Sequence, residues 1–155
     1  MQCPEPVEGL FTIGYEGLSS EVYFQKLLAH QVKLLCDVRK NAISRKKGFS
    51  KSSLRESASN HGIDYIHLRD LGIDSEQRKS LKTPQDYDEL LNQYEKRILH
   101  YQQADINHIF ELLNQYHCIA LTCFESHHTL CHRGRVAKLV VTLNPNEQPI
   151  EVNHL

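Results

Sequence analysis

Residues 123–133 read CFESHHTLCHR and concentrate side chains that can do chemistry. They supply two thiols, one carboxylate, three imidazoles and one guanidinium. These groups act as nucleophiles, general acids and bases, metal ligands and anion-binding cations. The stretch follows an apolar run, residues 117–124, and precedes a helical pattern. The reactive side chains are therefore predicted at the carboxyl end of a strand and the amino end of a helix, where open α/β folds bind ligands.

Cys131 is the first candidate for a catalytic residue in this stretch. A thiol at the start of a helix, close to Arg133 and Arg135, is expected to have a lowered pKa and thiolate character. The free backbone N–H groups of the same helix favour a bound anion. Glu125 and His132 are the candidate acid–base partners. The alternatives are a small apolar role for Cys131 at the helix start and a loop-pinning salt bridge for Glu125.

The same residues also allow a metal site. Its alternative ligand set is Cys123, Cys131 and His132. Seven residues separate the two cysteines, whereas structural zinc sites usually leave about two to four between paired cysteines. Mixed ligand sets do occur in catalytic sites, so a metal stays the alternative while the sequence itself requires no cofactor. His127 and His128 are expected to be exposed loop residues.

The elements that must position these residues follow from hydrophobic periodicity. Apolar runs predict strands at residues 11–13, 34–38, 65–68 and 118–124, with a possible small edge strand at 150–152. Helices are predicted to begin at Ser19 or Ser20, Ser50, Thr83, Asp105 and near Cys131. The resulting order, β-α-β-α-β-α-α-β-α, predicts a Rossmann-like three-layer α/β domain with a parallel four-stranded sheet and helices on both faces. Residues 1–9 are predicted to be a flexible arm and residues 10–155 a single domain.

The carboxyl ends of the four predicted strands should meet in one crevice, because parallel strands end at the same edge of a sheet. The residues predicted to bind a ligand there are Gly14, Tyr15, Asp37, Arg39, Arg45, Cys123 and Arg133. Gly14 would permit a close backbone approach. Asp37 interrupts an apolar run and needs a partner if it is buried. Arg39 and Arg45 are candidate anion ligands.

Composition limits the function classes. The chain has 155 residues, of which 18 are basic and 19 acidic, so its bulk charge indicates neither nucleic acid nor a membrane as partner. The basic loop at residues 39–47 keeps nucleic acid possible without favouring it. No segment approaches the roughly 20 apolar residues that span a bilayer. Five cysteines without framework spacing predict reduced thiols and a cytoplasmic location.

Several short motifs run in order along nearly the whole chain. They are TIGYEG at 12–17, DVR at 37–39, SR at 44–45, FS at 49–50, GIDYIHL at 62–68, LG at 71–72 and C-x-E-x5-CHR at 123–133. In these motifs the chain resembles the bacterial and archaeal domain-of-unknown-function family 488 (DUF488). The resemblance implies one compact α/β domain with the motifs around a shared pocket. It implies no established reaction.

Two positions depart from the family pattern. Residues 40–43 stand where the family often has a proline, and Ile73 stands where it often has a second glycine. The candidate residues leave two functional hypotheses and a structural alternative, in which the polar cluster is a buried network that only ties the strand to the helix. The first is an enzyme, a hydrolase or transferase, that acts on an anionic or nucleotide-like small molecule. The second is a non-catalytic module that binds or senses a ligand, a metal or nucleic acid.

Overall fold

The computed structural model describes residues 9–145 and 149–155. The predicted arm therefore lies outside the described residues, except for Gly9, which begins the first strand. The strands are β1 (Gly9–Gly14), β2 (Leu34–Asp37), β3 (Asp64–His67), β4 (Cys118–Cys123) and β5 (Val152–His154). The α-helices are α1 (Ser20–Ala29), α2 (Lys51–Asn60), α3 (Pro84–Tyr101), α4 (Gln103–Tyr116) and α5 (His132–Thr142). Short 3₁₀ helices lie at Arg69–Leu71, Ser75–Arg78 and His128–Leu130.

The five described strands form one parallel sheet in the order β3-β2-β4-β1-β5. The predicted α/β class with a parallel sheet is confirmed. The sheet has five strands rather than four because β5 adds to the free edge of β1. Strand β4 lies between β1 and β2, and its register sets Cys123 opposite Gly14 and Thr122 opposite Asp37. Residues from three separate parts of the chain thus meet at one end of the sheet.

The helices cover both faces of the sheet, as the alternating order predicts. Successive side chains of a strand point to opposite faces. In β4, Ile119 and Leu121 belong to the buried cluster formed with α3, α4 and α5. Ala120 belongs to the cluster formed with α1 and α2. The result is a three-layer domain with a separate apolar core on each side of the sheet.

The long helix α3 begins where its sequence indicates. Thr83 and Asp86 form a capping box, and Pro84 occupies the first helical position, where its missing N–H costs nothing. Leu28 of α1 and Tyr101 of α3 are hydrophobic helix residues that lie at the surface. Leu28 is 46% exposed, because it is turned about 100° from buried Leu27, and Tyr101, the last residue of α3, is 78% exposed.

Ser50 stands at the predicted start of α2, but its side chain does not cap the helix. Its hydroxyl instead accepts from the Ser44 N–H at 3.0 Å and donates to the Ser44 carbonyl at 3.1 Å. The Lys51 N–H donates to the Ala42 carbonyl at 2.7 Å. These bonds hold the basic loop, residues 39–47, against the first turn of α2.

Candidate functional site

A cleft of about 370 Å³ opens where the strands end. Its lining combines apolar side chains with five cations, which are Arg39, Lys40, Arg45, Lys46 and Arg78. Cys123, the last residue of β4, also lines the cleft although it is only 1% exposed. The predicted convergence of strand ends on one crevice is therefore what the structure shows.

The cations of the cleft differ in how fully they are neutralised. Three are paired with carboxylates: Arg39 with Asp37, Lys40 with Asp74, and Arg78 with Glu125. Lys46 Nζ donates to the Tyr15 carbonyl at 3.1 Å. Arg45 is exposed and forms no hydrogen bond or ion pair with the described residues. Arg45 and Lys46 thus leave the lining of the cleft with an excess of positive charge.

Arg39 lines the cleft, and the fully buried Asp37, which does not line it, holds the Arg39 guanidinium in place. Arg39 Nε and Nη2 donate to the two carboxylate oxygens at 2.8 and 2.6 Å, and the Tyr65 hydroxyl donates to Asp37 Oδ2 at 2.6 Å. Arg39 Nη1 donates to the Phe49 carbonyl at 2.7 Å and the Tyr15 hydroxyl at 3.1 Å. Four of its five N–H donors are therefore used. Arg39 mainly orders the wall of the cleft, and one donor remains for a ligand.

The sulfur of Cys123 lies in a cluster of reactive groups. Arg133 Nη1 donates to it at 3.0 Å, and Glu125 Oε2 lies 3.6 Å away. The Cys131 sulfur is bonded to it in a disulfide, so the prediction of reduced thiols is wrong for this pair, and the two Cα atoms are 7.3 Å apart. Cys36 and Cys118 are reduced thiols. Donor atoms of Cys123, Glu125 and Cys131 all lie within 4.8 Å of one another. The structure thus brings together two predicted catalytic residues, and Cys123, not Cys131, is the one that lines the cleft.

Arg133 lies behind Cys123 and does not line the cleft. Besides the sulfur, its guanidinium donates to the Glu125 carbonyl at 2.5 Å and the Ser126 carbonyl at 3.1 Å. Burial lowers the pKa of Arg133 to about 10, partly offset by the Glu125 charge, so it is still a cation at neutral pH. It fixes the loop after β4 through these two carbonyls. Arg135 instead binds acceptors on α3 and does not act on Cys131.

His132 is buried and held at both ring nitrogens. Its Nε2 lies 2.6 Å from the Val38 carbonyl and must donate to it, so Nδ1 accepts from Arg78 Nη2 at 2.9 Å. Burial, with the charge of Arg78 adding to it, lowers the pKa of His132 to about 3. The ring is therefore neutral at pH 7. This arrangement suits orientation of Arg78 better than transfer of a proton.

The family model described as "Domain of unknown function DUF488" matches residues 19–140. The chain belongs to this family. The matched span runs from the cap of α1 into α5 and includes Asp37, Arg39 and Glu125. Gly14 and Tyr15 precede the span that matches DUF488. No curated protein and no solved structure matches the chain.

A separate structural finding concerns membranes. Among the residues that the structure describes, no helix is both long enough and apolar enough to cross a bilayer.

The loops after β2 and β3 meet at one wall of the cleft. Lys40, Ile43 and Ile73 all line the cleft. A Cβ on Gly72 would overlap the backbone of Lys40, so the loops after β2 and β3 touch at that point. Ile43 is 83% exposed.

Arg78 and Phe124 are among the lining residues that the predicted site did not include. Arg78 lies in a polar stretch, residues 73–82, that has no periodic pattern, and no local signal marks it. Phe124 is 42% exposed, and its ring packs edge-on against Tyr15 with the ring centroids 5.4 Å apart. The position of Phe124 directly after Cys123 is a signal from which its place at the rim of the cleft could have been predicted.

Gly14 is the point of closest approach between β1 and the loop after β4. A Cβ there would overlap the Glu125 carbonyl. We expect Gly14→Ala to displace this loop, to lower the free energy of unfolding by about 1–3 kcal/mol, and to change the alkylation rate of Cys123 in reduced protein. Urea unfolding and iodoacetamide labelling measure the two effects.

The control for this prediction is Gly62→Ala. Gly62 has open space for a Cβ but a left-handed backbone with φ of +72°. Its substitution introduces backbone strain of about 1–2 kcal/mol far from the cleft, and should leave Cys123 labelling unchanged. Wild-type stability and labelling in Gly14→Ala would contradict the close approach.

Proposed function

We propose that this DUF488 protein is an enzyme of the hydrolase or transferase class. It binds an anionic small molecule in the cleft and acts on it at the centre formed by Cys123, Glu125 and Cys131. The observation that carries the proposal is that the Cys123 sulfur lines a cation-rich cleft and lies 3.0 Å from the buried Arg133 guanidinium. Once the disulfide to Cys131 is reduced, a guanidinium at this distance favours the thiolate form of Cys123.

The roles proposed for the cysteines and for His132 differ from those predicted from the sequence. Cys123 meets the ligand, and the buried Cys131 is its partner within the centre. Glu125 directs one carboxylate oxygen to Cys123 and the other to Arg78, which suits an acid–base group. His132 is a positioning residue that acts through Arg78.

The ligand class follows from the cleft lining. Arg45 has no partner among the described residues, and Lys46 lies beside it, so phosphate or carboxylate groups are favoured at this end. The Phe124 ring and the Ile43 side chain provide an apolar surface near the cations. A cleft of about 370 Å³ falls in the usual range of small-molecule sites, roughly 300–1,000 Å³. A nucleotide-like anion combines these features.

The charge prediction is tested with pyrophosphate as the probe. We expect calorimetric titration to show binding that weakens with salt, and Arg45→Ala to weaken it about 10–100-fold, because a charge-assisted hydrogen bond is lost. Lys33→Ala is the matched control. Lys33 is an exposed cation at the opposite, amino end of β2. Equal affinity of Arg45→Ala and wild type would refute the proposed anion site.

Turnover separates the enzyme from a non-catalytic ligand-binding module. p-Nitrophenyl phosphate and ATP serve as general probes of phosphate-ester cleavage and transfer. Cys123→Ala should abolish any turnover while it retains pyrophosphate affinity, because the anion contacts lie elsewhere in the cleft. Pyrophosphate binding without turnover of either probe by the wild-type protein would favour the module.

A further inference from the structure

We propose that Cys123, Glu125 and Cys131 together hold a divalent metal ion of the zinc type, with one coordination position directed to the cleft. This assigns a metal to the reactive centre. The presence of the ion is inferred from the geometry of the donor atoms alone. The identity of the ligand that approaches the ion rests on the proposed function. The donor atoms of the three residues lie within 4.8 Å of one another, and both cysteines are buried.

The backbone spacing of the cysteines supports an ion between the sulfurs. The Cα atoms of Cys123 and Cys131 are 7.3 Å apart, beyond the about 4.4–6.8 Å that is usual for a disulfide. Two thiolates on one tetrahedral zinc, each about 2.3 Å from the ion, have sulfurs about 3.8 Å apart. Reduced sulfurs can adopt that separation while the Cα atoms stay in place.

The groups around the donors already have the arrangement of an outer ligand shell. Arg133 Nη1 donates to the Cys123 sulfur at 3.0 Å. Arg78 Nη1 holds Glu125 Oε1 at 2.5 Å and leaves Oε2 facing the sulfurs. Hydrogen bonds of this kind orient metal ligands. Two thiolates and one carboxylate carry one negative charge in excess of a dication, and the guanidinium of Arg133, which bonds the Cys123 sulfur, offsets it.

Donor chemistry and ligand number indicate the type of site. Thiolates prefer zinc over magnesium or calcium. His132 is not counted as a ligand, although its Nδ1 lies 3.7 Å from the Cys131 sulfur, because that nitrogen accepts from Arg78. Glu125 therefore takes the place that the sequence analysis gave to His132 in the alternative ligand set. Three protein ligands with an open fourth position are the arrangement of catalytic rather than structural zinc.

Metal binding requires that the bond between Cys123 and Cys131 is first reduced, and a thiol reductant supplies the two electrons. Dithiothreitol reduces the cysteine pair and becomes its own cyclic disulfide. Each cysteine then loses a proton as it binds the ion, so two protons are released for each ion bound. Metal binding is therefore expected to weaken as the pH falls.

The experiment titrates reduced, chelator-treated full-length protein with Co²⁺ and then Zn²⁺ under anaerobic conditions. We expect one ion per chain, with thiolate-to-cobalt charge-transfer absorption that Zn²⁺ abolishes. Cys123→Ser and Cys131→Ser should lose the signal, and Glu125→Gln should weaken binding at least about tenfold. His127→Ala is the control, because His127 is an exposed potential ligand in the same loop.

Two results would overturn the metal site. One is the absence of stoichiometric binding by reduced wild-type protein. The other is unchanged affinity in Cys123→Ser or, if that variant fails to fold by circular dichroism, in Glu125→Gln. Pyrophosphate titration of metal-free protein separates this inference from the proposed function. Arg45-dependent pyrophosphate binding without metal binding would refute only the metal site, and metal binding without pyrophosphate binding would refute only the anion site.

Discussion

Asp37→Asn is expected to lower the free energy of unfolding by about 3–5 kcal/mol. Asp37 is fully buried and accepts two side-chain hydrogen bonds from Arg39 and one from Tyr65. The substitution leaves a buried guanidinium without its counter-charge, and the new amide N–H group faces donors. Urea unfolding, with the slope compared as well as the midpoint, measures the loss.

Asp88→Asn is the matched control for Asp37. The Asp88 carboxylate lies 3.6 Å from Arg135 and is 68% exposed, so the same change should cost at most about 1 kcal/mol. The double substitution Asp37→Asn with Arg39→Met should recover part of the loss, because it removes the uncompensated charge. Equal losses for Asp37→Asn and Asp88→Asn would contradict the burial of the pair.

Acidification from pH 7 to pH 4 is expected to remove about 3 kcal/mol of stability through His132 alone. Its pKa is lowered by burial to about 3 in the folded protein, from an ordinary 6.5. Below about pH 6.5 the His132 ring therefore binds a proton in the unfolded chain but not in the folded protein. The contribution of neutral His132 to the free energy of unfolding is complete above pH 6.5 and is lost progressively as the pH falls towards 3.

The His132 contribution is isolated by comparing pH profiles of urea unfolding. His132→Gln should flatten the decline between pH 6.5 and pH 4, because glutamine does not titrate, and its amide can still donate to the Val38 carbonyl. His127→Gln, a substitution of an exposed histidine in the same loop, should leave the wild-type slope. Parallel profiles for His132→Gln and wild type would show that this ring is not the neutral, buried group described above.

The sheet and its helices were predictable because their signals are local. Alternating or continuous apolar runs mark each long strand, and the Thr83-Pro84 pair marks the start of α3. The location of the site was predictable for a topological reason, since parallel strands end at the same edge. Strand β5 was harder to predict, because it has three residues, two of which are exposed, and it pairs only with the edge strand β1.

The directions of the side chains in the site were not predictable. Position in the sequence placed Arg133 beside Cys131, but its long side chain reaches the Cys123 sulfur and two carbonyls instead. Arg78 forms hydrogen bonds with Glu125, 47 positions further along the chain, and with His132, 54 positions further along. Contacts between residues so far apart leave no mark in local periodicity, so only the folded chain shows which cations face the cleft.

The central place of β4 in the sheet has a consequence for how the protein is made. Thr122 bonds the Ile13 carbonyl across 109 positions, and β4 also supplies the inner partner of β2. During synthesis β1 leaves the ribosome early, but it cannot pair with β4 until most of the chain has been made. Such non-local pairing slows folding and keeps strand edges open to other chains. Nascent chains that end before β4 should accordingly depend on chaperones and lack the cleft altogether.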